Sequence, residues 1–399
     1  MERSITDIVI SGGGVAGLTA EAAFGTAGFD VILVDPALPV TDATAQGADL
    51  RTTAFLQPAR AFLDQACLWD RLAPDAAPLQ VMRIVDAAGD DPVVADFDAD
   101  DISDLPFGWN LPNWLLRREM VARLDELPNV TFLTGTGFSG MLSRTAHTLV
   151  TLSDGQQVQA KLVIGADGRH SAVRTAADIG VKTTRYGQKA LTFAVTHDRP
   201  HDNVSTEVHK AGGPFTLVPL PDHNGKPCSA VVWMDNGPAT MDRMALPEVE
   251  FNAAATMRSA EFYGPLSLVG KRGVWPIITQ ISDSLTGPRT ALVAEAAHVV
   301  PPIGAQGLNM SLGDLSELLD LAKATDDLGG PEMLDAYARA RHGDIRLRVN
   351  GIDALNRASI AGNPIFQDLR SIGIKALFGA TPIRRKLMEL GLGARRQST

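Results

Sequence analysis

The stretch Asp7-Ile-Val-Ile-Ser-Gly12-Gly-Gly14-Val15-Ala16-Gly17-Leu-Thr-Ala decides how this chain begins to fold. A strand-type apolar run enters a turn of glycines. A helix pattern runs from Val15 to about Ala27, and a second apolar run, Val31-Ile-Leu-Val-Asp35, follows. Strand, glycine turn, helix and strand make a βαβ opening. Gly12, Gly14 and Gly17 have G-x-G-x-x-G spacing. The first glycine permits the tight turn, the second lets backbone approach a pyrophosphate, and the third lets helix pack closely on strand. Val15 and Ala16 open the helix, whose free N–H groups and positive dipole end suit phosphates. Asp35 ends the second strand, where a carboxylate accepts hydrogen bonds from ribose hydroxyls. A dinucleotide is expected here; the motif alone does not separate FAD from NAD(P).

Working outward, the chain has 399 residues, 45% of them hydrophobic and 21% charged, enough for a large core in two or three units. A net charge of -10 argues against a nucleic-acid partner. The two cysteines, Cys67 and Cys228, have no metal-type spacing, which fits a reducing compartment and no metal site. No leader is read before the first strand, so a cytoplasmic location is expected. The longest uncharged run, residues 296–313, carries prolines, His298, Gln306 and Asn309, unlike a membrane span.

Helices are expected over residues 54–72 and 114–127, strands over 129–133, 149–152, 157–164 and 291–294, and mostly helix beyond. Residues 180–280 read as β-rich, with turns at Pro221–Gly225 and Asp235–Pro238. The cofactor-type motifs near positions 12, 167 and 304 alternate with β-rich segments. The expected organisation is an α/β, Rossmann-like cofactor-binding domain from residues 1–75, 109–178 and 283–345. It is interleaved with a β-sheet substrate domain from 76–108 and 179–282, and followed by C-terminal helices in 346–399.

Two further motifs sharpen this. Leu162-Val-Ile-Gly165-Ala-Asp167-Gly168-Arg169 is followed by Ser171 and Arg174: a strand ending at a turn with a carboxylate and guanidinium groups. By its residues alone such a turn could hold a ribose or a phosphate, or be a surface turn with solvated charges. The third is Ala294-Glu295-Ala-Ala-His298-Val-Val-Pro301-Pro302-Ile-Gly304-Ala-Gln306-Gly307-Leu308-Asn309. Together the three resemble the class A flavoprotein aromatic monooxygenases of para-hydroxybenzoate hydroxylase-like fold, most of all the UbiH/VisC-type hydroxylases of ubiquinone biosynthesis. The resemblance implies that Asp167 lies near the FAD pyrophosphate and is linked to NAD(P)H use. It implies a ribityl contact from Glu295, and passage of residues 304–309, with Pro302, beside the isoalloxazine ring. A helix starting near Asn309 would aim amides at the ring's N1–C2 edge. The family pattern has glycine at 294, aspartate at 295 and glycine at 305; this chain has alanine, glutamate and alanine.

Arg51 and, of the pair Arg117–Arg118, Arg118 match arginines that the family places near FAD. Tyr337 and Arg341 resemble its Y-x-x-x-R and read as structural. His298 is a weak candidate for a catalytic base, since no partner carboxylate is apparent; a hydrogen-bonding role is favoured. Trp109, Trp114, Trp233 and Trp275 offer ring faces but serve equally as core, and none is assigned.

The implied activity is hydroxylation of a polyprenylated phenol with NAD(P)H and O2, through a flavin C4a-hydroperoxide. Two other readings stay open: a FAD-binding scaffold of a biosynthetic complex, motivated by Ala294 and Glu295, and a flavin-dependent lipid reductase. A homo-oligomer is also open. Residues 366–399 carry seven basic and two acidic side chains, a net of +5, interleaved with apolar ones. That pattern fits either a helix lying on an anionic membrane's inner face or one packed on the body.

Overall fold

The computed structural model describes residues 4–87, 92–210, 212–360, 385, 386 and 388. The chain's first sheet is built on β1 (Ser4–Ser11), paired in parallel with β2 (Val31–Asp35) on one side and β11 (Gln157–Gly165) on the other. β8 (Val130–Thr134) extends it past β2. β18 (Thr290–Leu292) and β17 (Thr286–Gly287) extend it past β11, to which β10 (Thr148–Leu152) and β9 (Phe138–Ser143) add an antiparallel pair. Ile8, Val9, Ile10, Leu33 and Ile164 are fully buried, as parallel strands covered on both faces must be. The cover includes α1 (Val15–Thr26), which packs on α4 (Asn113–Leu124) and α8 (Gln306–Ala324).

A second eight-stranded sheet runs β19 (His298–Val299), β16 (Ser267–Ser282), β12 (Val181–Thr196), β15 (Lys226–Asn236), β14 (Gly213–His223), β13 (Val204–Lys210), β5 (Val81–Asp86), β6 (Val93–Asp98). Its side chains alternate with the period of the pleat. Leu191, Phe193, Phe215, Val231 and Trp233 share one face and form a core with Phe251 and Ala255 of α7 (Glu248–Arg258). The other face presents Ala190, Thr192, Ala194, Ala230 and Val232, together with the larger Met234 and Trp275. A third sheet joins β3 (Thr52–Leu56), β7 (Gly108–Pro112) and β4 (Ala77–Leu79). The remaining helices are α2 (Gln57–Gln65), α3 (Trp69–Leu72), α5 (Ala172–Ala176), α6 (Gly237–Ala245) and α9 (Pro331–Ile360).

Several local expectations change. The helix expected from residue 54 starts at Gln57: Thr52 to Leu56 pair with β7, and Pro58, in the first turn, fixes the start. At the turn read over Asp235–Pro238 the chain passes directly from β15 into α6, with the Asn236 side chain accepting from the Ala239 amide. The β-rich stretch thus also contains α6 and α7. The strand at 291–294 ends at Leu292, and Ala294–Ala296 is a 3-10 turn. Of the C-terminal helical segment beyond 360, only Arg385, Lys386 and Met388 are among the described residues.

Candidate functional site

Ser11 of β1 lies opposite Gly165 of β11, and Gly165 opposite Leu292 of β18. The three motifs therefore leave the same edge of the sheet side by side, from the carboxyl ends of adjacent parallel strands. That edge is the crevice where open α/β sheets bind ligands. At Gly12, φ is +111° and an added Cβ would stand 2.5 Å from the Ala166 carbonyl oxygen; at Gly17 it would stand 1.8 Å from the Gly12 oxygen. Both positions are closed by the protein itself. At Gly14 a Cβ meets nothing within 4 Å, so the space before it is open, as a cradle for a pyrophosphate requires. Helix α1 has no side-chain cap and no acidic residue in its first turn, so the Val15 and Ala16 end offers its amides to an anion. Asp35 is oriented by the amides of Gly13 (2.6 Å) and Ala37 (2.8 Å) and keeps further lone pairs for a ribose.

Asp167 accepts from the amides of Ala172 and Val173 through Oδ2, while its buried Oδ1 has no partner among the described residues. A buried acceptor left open at a strand-end crevice fits a ligand hydroxyl or amide. The solvated-turn reading of this motif does not hold for Arg174. It is buried and donates to the carbonyls of Ala296 and Arg169, and burial lowers its pKa from the ordinary arginine value. It ties the second motif to the third. Arg169, with His170 and Arg185, lines a groove of about 430 Å³.

In the third motif the backbone keeps the form that glycine favours although the glycines are gone: Ala294 has φ +54° and Ala305 φ +55°. Glu295 is exposed beside them. Its charge acts on Arg51, which is bonded to Asp49 (2.8 and 2.7 Å) and lies 4.1 Å over the Trp275 ring. Burial opposes the Arg51 charge, but Asp49 and Glu295 outweigh it and raise the guanidinium pKa. Burial likewise pushes Asp49 upward, yet Arg51, Asn113 and Arg117 hold it below the usual carboxylate range. Arg117, 3.6 Å from Asp49, is thus the arginine of the pair that joins this cluster. Arg118 is turned to Glu119 and the Trp114 ring. The chain's 117–118 repeat hid this, because adjacent helix residues point about 100° apart.

Helix α8 starts at Gln306, three residues before the expected point, again with no side-chain cap and no acidic residue in its first turn. Pro302, Gly304 and Gly307 are exposed and Leu308 half-buried. Asn309 is committed to the protein: its Oδ1 accepts from the Leu56 amide and its Nδ2 donates to the Ala54 carbonyl, stapling α8 to β3. His298 does have a carboxylate partner, Asp314 at 2.6 Å, whose other oxygen accepts from Arg341 at 2.8 Å. Asp314 lies within α8. His298 and Asp314 are both buried, so the arrangement is an internal brace, with His298 Nδ1 left without a partner among the described residues. The Tyr337 hydroxyl donates to the Leu292 carbonyl at 2.9 Å, fixing α9 to β18. Of the tryptophans, Trp233 is core, Trp109 packs on Trp69, and Trp275 stands at the seam between the sheets.

A family model described as "FAD binding domain" matches residues 5–349. The chain belongs to the FAD-binding domain family. The flavoprotein is 32% identical to the ubiquinone hydroxylase UbiL of Rhodospirillum rubrum over 98% of this chain and 90% of that one. It is 25% identical to the 3-demethoxyubiquinol 3-hydroxylase of Escherichia coli over 98% and 100%. Among solved structures it resembles p-nitrophenol 4-monooxygenase PnpA of Pseudomonas putida, with TM-score 0.80, 18% identity and 99% and 100% coverage. It also resembles PqsL of P. aeruginosa, with TM-score 0.76, 20% identity and 94% and 100% coverage. The fold of this flavoprotein is therefore that of the flavin aromatic monooxygenases, and no helix among its described residues is long and apolar enough to cross a membrane.

Proposed function

We propose that this flavoprotein hydroxylates the aromatic ring of a lipid-tailed phenol in ubiquinone biosynthesis, using NAD(P)H and O2. The observation that carries the reading is the seam between the sheets. Ile303, just before Gly304, packs with Ala190, Met234 and Ile277 of the second sheet. The loop, with Gly304, Ala305 and Gly307 exposed, therefore adjoins that face of the sheet, and the substrate ring is assigned to this seam. The names of the ubiquinone-hydroxylase relatives support the substrate class.

In this reading residues 1–75, 109–178 and 283–345 hold FAD, and 76–108 with 179–282 shape the substrate side. The Gly12–Gly17 turn, with the first amides of α1, takes the pyrophosphate, and Asp35 the adenosine ribose. Asp167 and Glu295 take hydroxyls of the rest of the chain, Arg51 with Arg117 and Asp49 flanks it, and Pro302, Gly304 and residues 306–309 border the ring. Bound FAD supplies the centre that accepts two electrons from NAD(P)H and delivers one atom of O2 to the phenol. The amides of α8 stabilise negative charge without reorganising. Ala190, Val232 and Ala230 orient the ring and exclude water. Arg169, His170 and Arg185 receive the phosphates of a transient NAD(P)H.

The test is NAD(P)H oxidation by the purified holoprotein, with and without a short-chain prenylated phenol. The reading requires stimulation by the phenol and about one hydroxylated product per NAD(P)H at full coupling. No turnover would leave a scaffold, and oxidation without oxygenated product a reductase.

The same reading places residues 366–399 against an anionic bilayer, where such a substrate dissolves. Met388 is buried with Leu56, Ile102 and Phe107, while Arg385 and Lys386 remain exposed, so packing on the body and an outward basic face coexist. Liposome flotation should show binding by the full chain and its loss on truncation after Gly379. Equal binding by a folded truncation contradicts it.

A further inference from the structure

Arg348 lies on α9, outside all three motifs. Its Nη1 donates to Gln306 Oε1 at 2.7 Å, and its Nε to Asp344 at 2.9 Å. Gln306 in turn donates from Nε2 to the Gly304 carbonyl at 2.9 Å. Gly304 (φ +62°) and Ala305 (φ +55°) are consecutive left-handed residues, and Gln306 is the first residue of α8. A side-chain amide has one acceptor end and one donor end. With Oε1 taken by the guanidinium, Nε2 is turned onto Gly304. Arg348 thereby sets which way the amide faces and braces the left-handed turn before the helix. The brace is anchored inward: Asp344 also accepts from Arg341 at 3.0 Å, and Arg341 holds the buried Asp314 that holds His298.

We propose that Arg348 is a positioning residue for the reaction. Acting through Gln306, it holds the Gly304–Ala305 turn and the first amides of α8 in the arrangement that favours the reduced form of bound FAD. This rests on the reading that the loop borders the flavin ring. Fixed donors stabilise developing charge more than loose ones do, so slackening the turn weakens the reduced, more negative ring more than the oxidised one. The guanidinium fork reaches Asp344 and Gln306 at once; a lysine ammonium is a single point charge and does not reproduce that span.

The experiment compares the parent holoprotein with Arg348→Met and Arg348→Lys, measuring the flavin midpoint potential and the rate of flavin reduction by NAD(P)H. Both variants should keep bound FAD and melt within about 5 °C of the parent, as loss of one partly exposed contact allows. Their preference for reduced flavin should fall about tenfold, a shift of about 30 mV to more negative potential for two electrons. The reduction rate should fall while KM for NAD(P)H changes by less than about twofold. Lysine should not rescue. An unchanged potential in both variants overturns the proposal. If Arg348→Met does not fold, Gln306→Leu is measured in the same way, and an unchanged potential there is equally fatal. Gly307→Val separates this proposal from the reading beneath it, because a Cβ at Gly307 meets open space within the protein. If valine there leaves the flavin spectrum and potential untouched, the loop does not border the ring, and the reading falls together with the proposal. If valine shifts them and Arg348→Met does not, only the role of Arg348 is lost.

Discussion

Gly14 has an extended backbone (φ -72°, ψ 176°) and open space where a side chain would go. Valine is therefore compatible with the protein at that position and incompatible with a pyrophosphate lying against it. Gly14→Val should purify folded and colourless; a full flavin spectrum in the variant would show that the phosphate lies elsewhere. At Ala294 and Ala305 a side chain is present where the backbone favours none. A left-handed L-residue is strained by about 1–2 kcal/mol, which glycine avoids, though glycine loses more entropy on folding. Ala305→Gly and Ala294→Gly should each raise stability by about 1 kcal/mol in urea unfolding; a loss in either would mean that its backbone is not held left-handed. For Glu295, near Arg51, Glu295→Ala should weaken FAD binding by about 1–3 kcal/mol by fluorescence titration, and Glu295→Asp by less. Unchanged affinity would remove Glu295 from the site. The sequence already shows that these positions depart from the family pattern. It does not show that the backbone keeps its left-handed shape there, because contacts that bear on it come from far along the chain, as Arg348 on Gln306 does beside Ala305.

Among the elements, α1 carries a consequence invisible in its glycine motif. The helix is buried nearly all round, between the sheet and helices α4 and α8, so Glu21 cannot reach water. Burial, opposed only by the Leu33 backbone, raises its pKa to about 8. Below the unfolded-state pKa of 4.5 both states hold the proton. As pH rises toward about 8 the unfolded chain releases it and the folded one does not, so stability falls by about 1.4 kcal/mol per pH unit, roughly 3 kcal/mol by pH 7. Glu21→Gln should flatten the stability profile between pH 5 and 8, measured by urea unfolding; a profile parallel to the parent's would mean that Glu21 ionises freely. The brace at the start of α8 behaves differently. Asp314 is fully buried between His298 and Arg341, and Asp314→Ala should lower stability by about 1–3 kcal/mol, because buried His298 loses its acceptor while Asp344 still pairs Arg341. A loss under 1 kcal/mol would mean that the network is not formed. His298 and Asp314 are sixteen residues apart, and their meeting depends on a helix that begins earlier than its capping signals suggest. No side chain caps α8, so its start is not written in the local sequence.

For the whole molecule, the alternation of motifs with β-rich segments is legible because each motif carries its own strand and turn chemistry. The meeting of the three motifs is not, since it depends on the lateral order of β1, β11 and β18, which are separated by more than a hundred residues from one to the next. The second sheet is equally hard to read as a site, because small residues such as Ala190, Ala194 and Ala230 carry no motif. Of these, Ala190 gains a role only by packing, with Met234 and Ile277, against Ile303. That meeting of loop and sheet is where ring oxygenation is placed, and oxygenation is the central claim. The most direct measurement is mass spectrometry of the product formed by the holoprotein from NAD(P)H, a short-chain prenylated phenol and ¹⁸O2. The account predicts one ¹⁸O atom in a new ring hydroxyl; NAD(P)H consumption with no label in the ring would contradict it.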